Sequence, residues 1–269
     1  MMIPWLELLD VKKWAAETTA ETAEGRTYNY KIERLADYVS GGSKRGGSTL
    51  GSTRSLQLSM SADGVELLQA LVCTTRLSEL DVTVVCKFLM DSAVDGVLDK
   101  DAFDAWCSRQ LLASGALDAD ESDVFSKLLS TLFNAFDRDG GGSVDAAEFA
   151  SGFSVLCAGS KSAKLAAAWE LLDDDNDGLL SRRGLWRYLR SFLRVLLCIS
   201  STFCPAPHVG DLTVQADACS VLLSARVFET EPCGDLISFD QWADWYTNGG
   251  FTIASWLELL DLNKWVLIA

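Results

Sequence analysis

The stretch DRDGGGSVDAAEF, residues 137–149, places oxygen-bearing side chains at the intervals a hard cation requires. A twelve-residue calcium loop takes ligands from positions 1, 3 and 5, turns on a glycine at 6 and uses the backbone carbonyl of 7. Position 9 often acts through water, and a bidentate glutamate closes the loop at 12. Asp137, Asp139, Gly141, Gly142, Ser143, Asp145 and Glu148 fill those places. Gly141 has no side chain, so a water must complete position 5. Val144 at position 8 suits a short strand that pairs with a neighbouring loop, and Phe149 opens an apolar helix. The competing reading is an acidic, glycine-rich surface turn between two helices.

DDDNDGLLSRRG, residues 173–184, repeats the pattern with Asp173, Asp175 and Asp177 at 1, 3 and 5. Gly178 stands at 6, Leu179 supplies the carbonyl of 7, and Ser181 stands at 9. Gly184 replaces the closing glutamate, which removes two of the usual oxygens. That loss predicts weak calcium binding, or a Mg²⁺-like six-oxygen site completed by water. Two further loops are degenerate. Residues 91–102 keep Asp91, Asp95, Gly96 and Leu98 but carry Ala93 and Ala102 at positions 3 and 12. Residues 230–241 put Thr230, Pro232 and Gly234 at ligand places, with Asp235 at 6, Ile237 at 8 and Gln241 at 12. Neither is expected to hold a metal; each is expected to pair with a working loop.

The loops and the helices between them resemble the EF-hand superfamily over residues 60–250. The step from Asp137 to Asp173 is the spacing usual in that family. The longer step to residue 230 is similar to the recoverin and calcineurin-B-like branch. The resemblance implies an all-α fold of four helix-loop-helix hands, two of them degenerate, with terminal amphipathic helices. One pair would span residues 61–160 and the other 161–250. It also implies calcium as the cofactor, and a calcium-responsive sensor that opens an apolar groove to a target helix. A calcium buffer, a calcium-stabilised structural module, and a regulatory fragment of a larger multidomain protein are the alternatives.

Helices must position these loops. Apolar residues recur at three and four in residues 62–72, 80–90 and 122–136, which predicts amphipathic helices there. Upstream, residues 3–15 read as a short amphipathic helix, 18–25 as a loop, and 28–39 as a further helix, making 1–39 an N-terminal helical segment. Residues 40–60 are Gly/Ser-rich at their start and read as a flexible linker. No alternating run predicts a central sheet.

The formal net charge of -15 argues against a nucleic-acid partner, which needs a basic footprint. Catalytic constellations are missing: His208, the single histidine, sits in a Pro-flanked segment without a nucleophile, and GGSKRGGST lacks the flanking strand and helix of a phosphate loop. The chain is therefore expected not to be an enzyme. Its eight cysteines form no CxxC pair and read as buried, reduced thiols of an intracellular, cytoplasmic protein. Phe192–Cys204 is too short to span a bilayer. Neither a signal peptide nor N-myristoylation is expected, because the first apolar stretch is short and broken by Glu7 and Asp10 and residue 2 is Met.

One helix is basic. Arg183, Arg187, Arg190 and Arg194 form a stripe on residues 181–197, expected to be a solvated face or a contact for acidic lipid or an acidic partner segment. Finally, WLELLDVKKW at residues 5–14 returns as WLELLDLNKW at 256–265. The second copy, within a C-terminal docking helix at 251–269, would bury Trp256, Leu257, Leu259, Leu260 and Trp265, with Glu258 and Asp261 elsewhere. It is expected either to plug a target groove or to complete the core. The first copy is either the tail of a preceding repeat unit or a second ligand for the same groove.

Overall fold

A computed structural model describes residues 19–22, 25–32, 56–112, 115–203, 212–230 and 234–262. The expected helix at 3–15, the first decapeptide copy, residues 40–55 of the linker and His208 lie outside them.

The described chain opens with strands β1 (Thr19–Thr22), β2 (Gly25–Ile32) and β3 (Leu56–Ser61). They form an antiparallel sheet in the order β1-β2-β3. This corrects two expectations over the described residues, since 18–25 read as a loop and 28–39, described only through residue 32, as a helix. The overlooked signal is a period of two: Tyr28, Tyr30 and Ile32 alternate with Asn29 and Lys31, and the register sets them opposite Met60, Leu58 and Leu56. Such matched alternation specifies a strand pair. It escapes a search of single segments because its two halves are separated in sequence. β3 also takes residues 56–60, which composition groups with the linker.

Helices follow: α1 (Ala62–Thr74), α2 (Val82–Asp91), α3 (Lys100–Gln110), α4 (Ala119–Phe136), α5 (Ala146–Phe153) and α6 (Lys161–Leu172). Then come α7 (Arg182–Phe203), α8 (Leu212–Thr230) and α9 (Phe239–Thr247). Short strands β4 (Val97–Asp99), β5 (Ser143–Asp145), β6 (Leu179–Ser181) and β7 (Leu236–Ser238) lie in the loops. β4 pairs with β5 and β6 with β7, so that Leu98 faces Val144 and Leu180 faces Ile237. The described chain is thus mostly helical, in keeping with an all-α EF-hand fold, with small sheets added.

Local chemistry explains the helix starts. Asp118 Oδ1 accepts from Glu121 N at 2.8 Å while Glu121 Oε2 accepts from Asp118 N at 3.1 Å, closing a capping box on α4. The ninth residue of each of three loops caps the helix that follows: Asp145 accepts from Glu148 N, Ser181 from Gly184 N, and Ser238 from Gln241 N.

Two aromatic groups organise the core. Phe103, Phe133, Phe136, Phe149 and Phe153 interlock below β4 and β5, with Phe149 edge-on to Phe103 at 4.9 Å. Trp169, Tyr188, Phe239, Trp242 and Tyr246 do the same below β6 and β7. Edge-to-face and offset pairs of this kind add to their hydrophobic burial. Helix α7 joins the two halves and runs against α4, α5 and α8. It lies close to α5 at Gly152, where a Cβ would be 2.7 Å from Ser191 O of α7 and 2.8 Å from Phe136 Cζ of α4. Gly152→Ala is therefore expected to destabilise the protein by about 1–3 kcal/mol through overpacking, despite alanine's better helix propensity. A urea melt with a lower midpoint and an unchanged slope is the expected readout; an equal or higher midpoint would show that α5 and α7 can separate freely.

Among the described cysteines, Cys86, Cys107, Cys157 and Cys198 are buried free thiols, as expected, but Cys73 is exposed and Cys219 half-buried. Burial pushes the Cys86 and Cys198 thiols up to about 12, which keeps them protonated and unreactive. Among the described residues no helix is long and apolar enough to cross a membrane.

Candidate metal centres

Residues 173–184 bring three carboxylates together. Asp173, Asp175 and Asp177 each offer an oxygen, and these oxygens lie within 4.8 Å of one another. Asp173 is pinned by the backbone: its Oδ1 accepts from Asp177 N at 3.2 Å and its Oδ2 from Gly178 N at 2.7 Å. Gly178 turns the chain there with φ of +81°, a conformation that favours glycine. The carboxyl of Asp175 is raised above its ordinary range, chiefly by the charge of Asp177, with slight desolvation and Asp173 adding to it. Such mutual repulsion is what a bound cation relieves. Leu179 opens β6, and Ser181 ends it as the cap of α7. Gly184 is buried against Leu180, leaving nothing at position 12 to ligate.

Residues 137–148 share the backbone cradle. Asp137 Oδ1 accepts from Gly141 N at 3.0 Å and its Oδ2 from Gly142 N at 2.9 Å, matching Asp173. Asp139 Oδ1 also accepts from Gly141 N, at 3.0 Å. The closing glutamate is engaged elsewhere. Glu148 Oε1 accepts from Arg187 Nε at 2.9 Å, and Oε2 accepts from Arg190 Nη2. Arg187 Nη2 also reaches Asp145 Oδ2 at 2.9 Å, and its Nη1 lies 3.3 Å from Asp174 Oδ2. One guanidinium therefore touches positions 9 and 12 of one loop and position 2 of the other. Burial pushes the Glu148 carboxyl up, but Arg190 and Arg187 outweigh it and hold the group below its usual range.

These contacts correct the reading of the basic stripe. Arg183 is exposed, but Arg187 is half-buried, and Arg190 and Arg194 are only 3% and 2% exposed. Arg194 Nη2 donates to Asp217 Oδ1 on α8 at 2.9 Å, and Arg190 stacks 3.8 Å above the Trp186 ring. A solvated face, or one facing lipid, would leave these groups in water. Instead the fold directs most of the stripe at Glu148, Asp145, Asp174 and Asp217. The spacing revealed the stripe, but its acidic counterparts come from β5, α5, the 173–184 loop and α8, which only folding brings together.

The loop at 91–102 closes on its own backbone. Val94 and Val97 exchange two backbone hydrogen bonds of 2.9 Å around Asp95 and Gly96, both with positive φ. That is a two-residue hairpin turn. Its carbonyl at Gly96 accepts from Ala146 N, and Lys100 N donates to Gly142 O, which braces the 137–148 loop. Of the loop at 230–241, residues 231–233 lie outside the described set.

No family model matches the chain. It is similar to the calcineurin B subunit from Schizosaccharomyces pombe, 39% identical over 83 residues. That stretch is 29% of this chain and 48% of the relative, so the chain spans about half the length of the curated protein it matches. The likeness points to the EF-hand calcium-binding family and to no finer branch within it.

Proposed function

We propose that this chain is a non-enzymatic, calcium-responsive regulatory protein of four hands, with metal loops at 137–148 and 173–184. The observation that carries the reading is the convergence of Asp173, Asp175 and Asp177 on a backbone cradle that Asp137 repeats in the other loop. Asp173, Asp175, Asp177, Ser181 and the Leu179 carbonyl would hold one calcium ion. Asp137, Asp139, Asp145, Glu148 and the Ser143 carbonyl would hold the other, with water at Gly141. A magnesium ion suits the 173–184 loop, which lacks the bidentate glutamate. A bound cation supplies the positive charge that these carboxylates lack for one another.

The chain's own residues favour a sensor over a buffer. Glu148 can serve its loop only by leaving Arg187 and Arg190, which are fixed on α7. Arg187 also holds Asp174, so a change at Glu148 reaches the second loop through one side chain. Coupling of two sites through a shared element is reciprocal. A protein target is supported by the relative, which by its name is one subunit of an assembly. The free thiols fit a reducing intracellular compartment.

Titration calorimetry of the full chain with calcium, then magnesium, tests this. Two binding events are expected: one lost in Glu148→Gln, the other lost in Asp173→Asn. Calcium should also raise the fluorescence of an apolar dye. Absence of calcium heat together with an unshifted melting temperature would remove the proposal, and unchanged dye fluorescence at saturation would reduce it to a buffer.

A further inference from the structure

The second decapeptide copy is described through Leu262, and its first residues are 3₁₀ rather than α-helical. Residues 255–260 form a 3₁₀ helix, and Trp256, Leu257, Glu258, Leu259, Leu260 and Asp261 are all buried. This corrects the expectation that Glu258 and Asp261 would point elsewhere. The groove that holds them is built around two buried lysines of α6. Lys161, 0% exposed, pairs with Glu258, whose Oε1 also accepts from Tyr246 OH at 2.7 Å. Lys164 Nζ donates to Leu260 O at 2.7 Å and to Val155 O at 2.8 Å. Burial pulls the Lys164 ammonium down to about 8, while the negative charge of Asp261 favours its protonated form. Buried cations of this kind demand an acidic ligand in a fixed register.

The six residues that fill the groove, WLELLD, are repeated without change at Trp5–Asp10. The copies differ at Val11 against Leu262, which is half-buried, and at Lys12 against Asn263, which lies outside the described residues. Every side chain that the groove recognises is therefore present twice in the chain. A chance amphipathic resemblance would preserve the apolar positions but not both acids opposite the two lysines.

We propose that residues 5–10 of the same chain are the alternative occupant of the groove that holds residues 256–261. Glu7 would meet Lys161 and Tyr246, Asp10 would lie beside Lys164, and Trp5 would replace Trp256. Because the contacting residues are identical, the two ligands differ only in tether. Their occupancy is then the ratio of their effective concentrations at the groove, not a difference in contacts. The C-terminal copy follows α9 after a few residues and prevails in the structure. Weakening it tenfold shifts the ratio tenfold toward the N-terminal copy. This exchange needs no calcium and stands apart from the metal loops.

A double-mutant cycle in the full chain tests it. Trp5→Ala should leave the melting temperature unchanged. Trp256→Ala should lower it only modestly, because residues 5–10 take over. Trp5→Ala/Trp256→Ala should lower it by about 10 °C, the scale of losing a buried tryptophan. A peptide of residues 2–15, added in excess, should restore the double variant, and the same peptide with Glu7→Lys should not. Additive shifts overturn the proposal, as does a Trp256→Ala chain that fails to fold while Trp5 is intact. Rescue that strengthens with protein concentration overturns the same-chain assignment, because the N-terminal copy would then be acting between molecules.

Discussion

Arg190→Met is expected to tighten calcium binding at residues 137–148 by roughly 30- to 100-fold, about 2–3 kcal/mol at 1.4 kcal/mol per decade. Glu148 and Arg190 are both buried and paired. Removing one partner of a buried pair costs about 3–5 kcal/mol, because the remaining charge is left without compensation. Arg187 still holds Oε1, which keeps the cost toward the lower end. Arg190 Nε and Nη1 lack hydrogen-bond partners, so their removal also relieves some desolvation. The whole penalty falls on the arrangement in which Glu148 is paired, since Glu148 must leave the arginine to act as a ligand. By linkage, what destabilises only that state appears as affinity. The variant should therefore melt lower without calcium and gain more from it. An unchanged dissociation constant would show that Glu148 stays with the arginines and takes no part in binding.

Lys161→Met is expected to lower the melting temperature by about 10 °C, from a loss of about 3–5 kcal/mol spread over a chain of this size. Lys161 and Glu258 are nearly inaccessible to water, so neither can exchange its partner for solvent. The substitution takes the Lys161 ammonium from Glu258 and leaves it the hydrogen bond from the Tyr246 hydroxyl, which carries no charge to offset its own. Replacing both charges, in Lys161→Met/Glu258→Met, should recover most of the loss, because an apolar pair of similar volume needs no desolvation. Calcium affinity should stay unchanged, since the groove lies away from both loops. The groove itself is altered here, so residues 5–10 cannot compensate. A wild-type melting point in the single variant would show that the pair contributes nothing to the fold.

Much of the loop chemistry was legible in the chain. Asp137, Asp173 and Gly178 act through hydrogen bonds spanning four or five residues, and the spacing of the motif already encodes them. The same holds for the Asp95-Gly96 turn and for the helices from Ala62 onward, where a period of 3.6 suffices. The N-terminal sheet was harder. Each strand is short, and its meaning depends on β2 and β3 meeting in a register that sets Tyr30 against Leu58.

The sequence by itself determined where a cation could be held, which residues would offer oxygens, and that helices must carry them. These are local properties, settled by turn conformation and side-chain period within a dozen residues. Only the tertiary structure decided that Glu148 is held by arginines 39 and 42 residues away, and that Glu258 is buried on Lys161, 97 residues away, with the Leu260 carbonyl on Lys164, 96 residues away. The reason is physical. A charge chooses its partner by proximity and desolvation, and both are set by how α5, α6 and α7 pack, which no periodicity along one segment records.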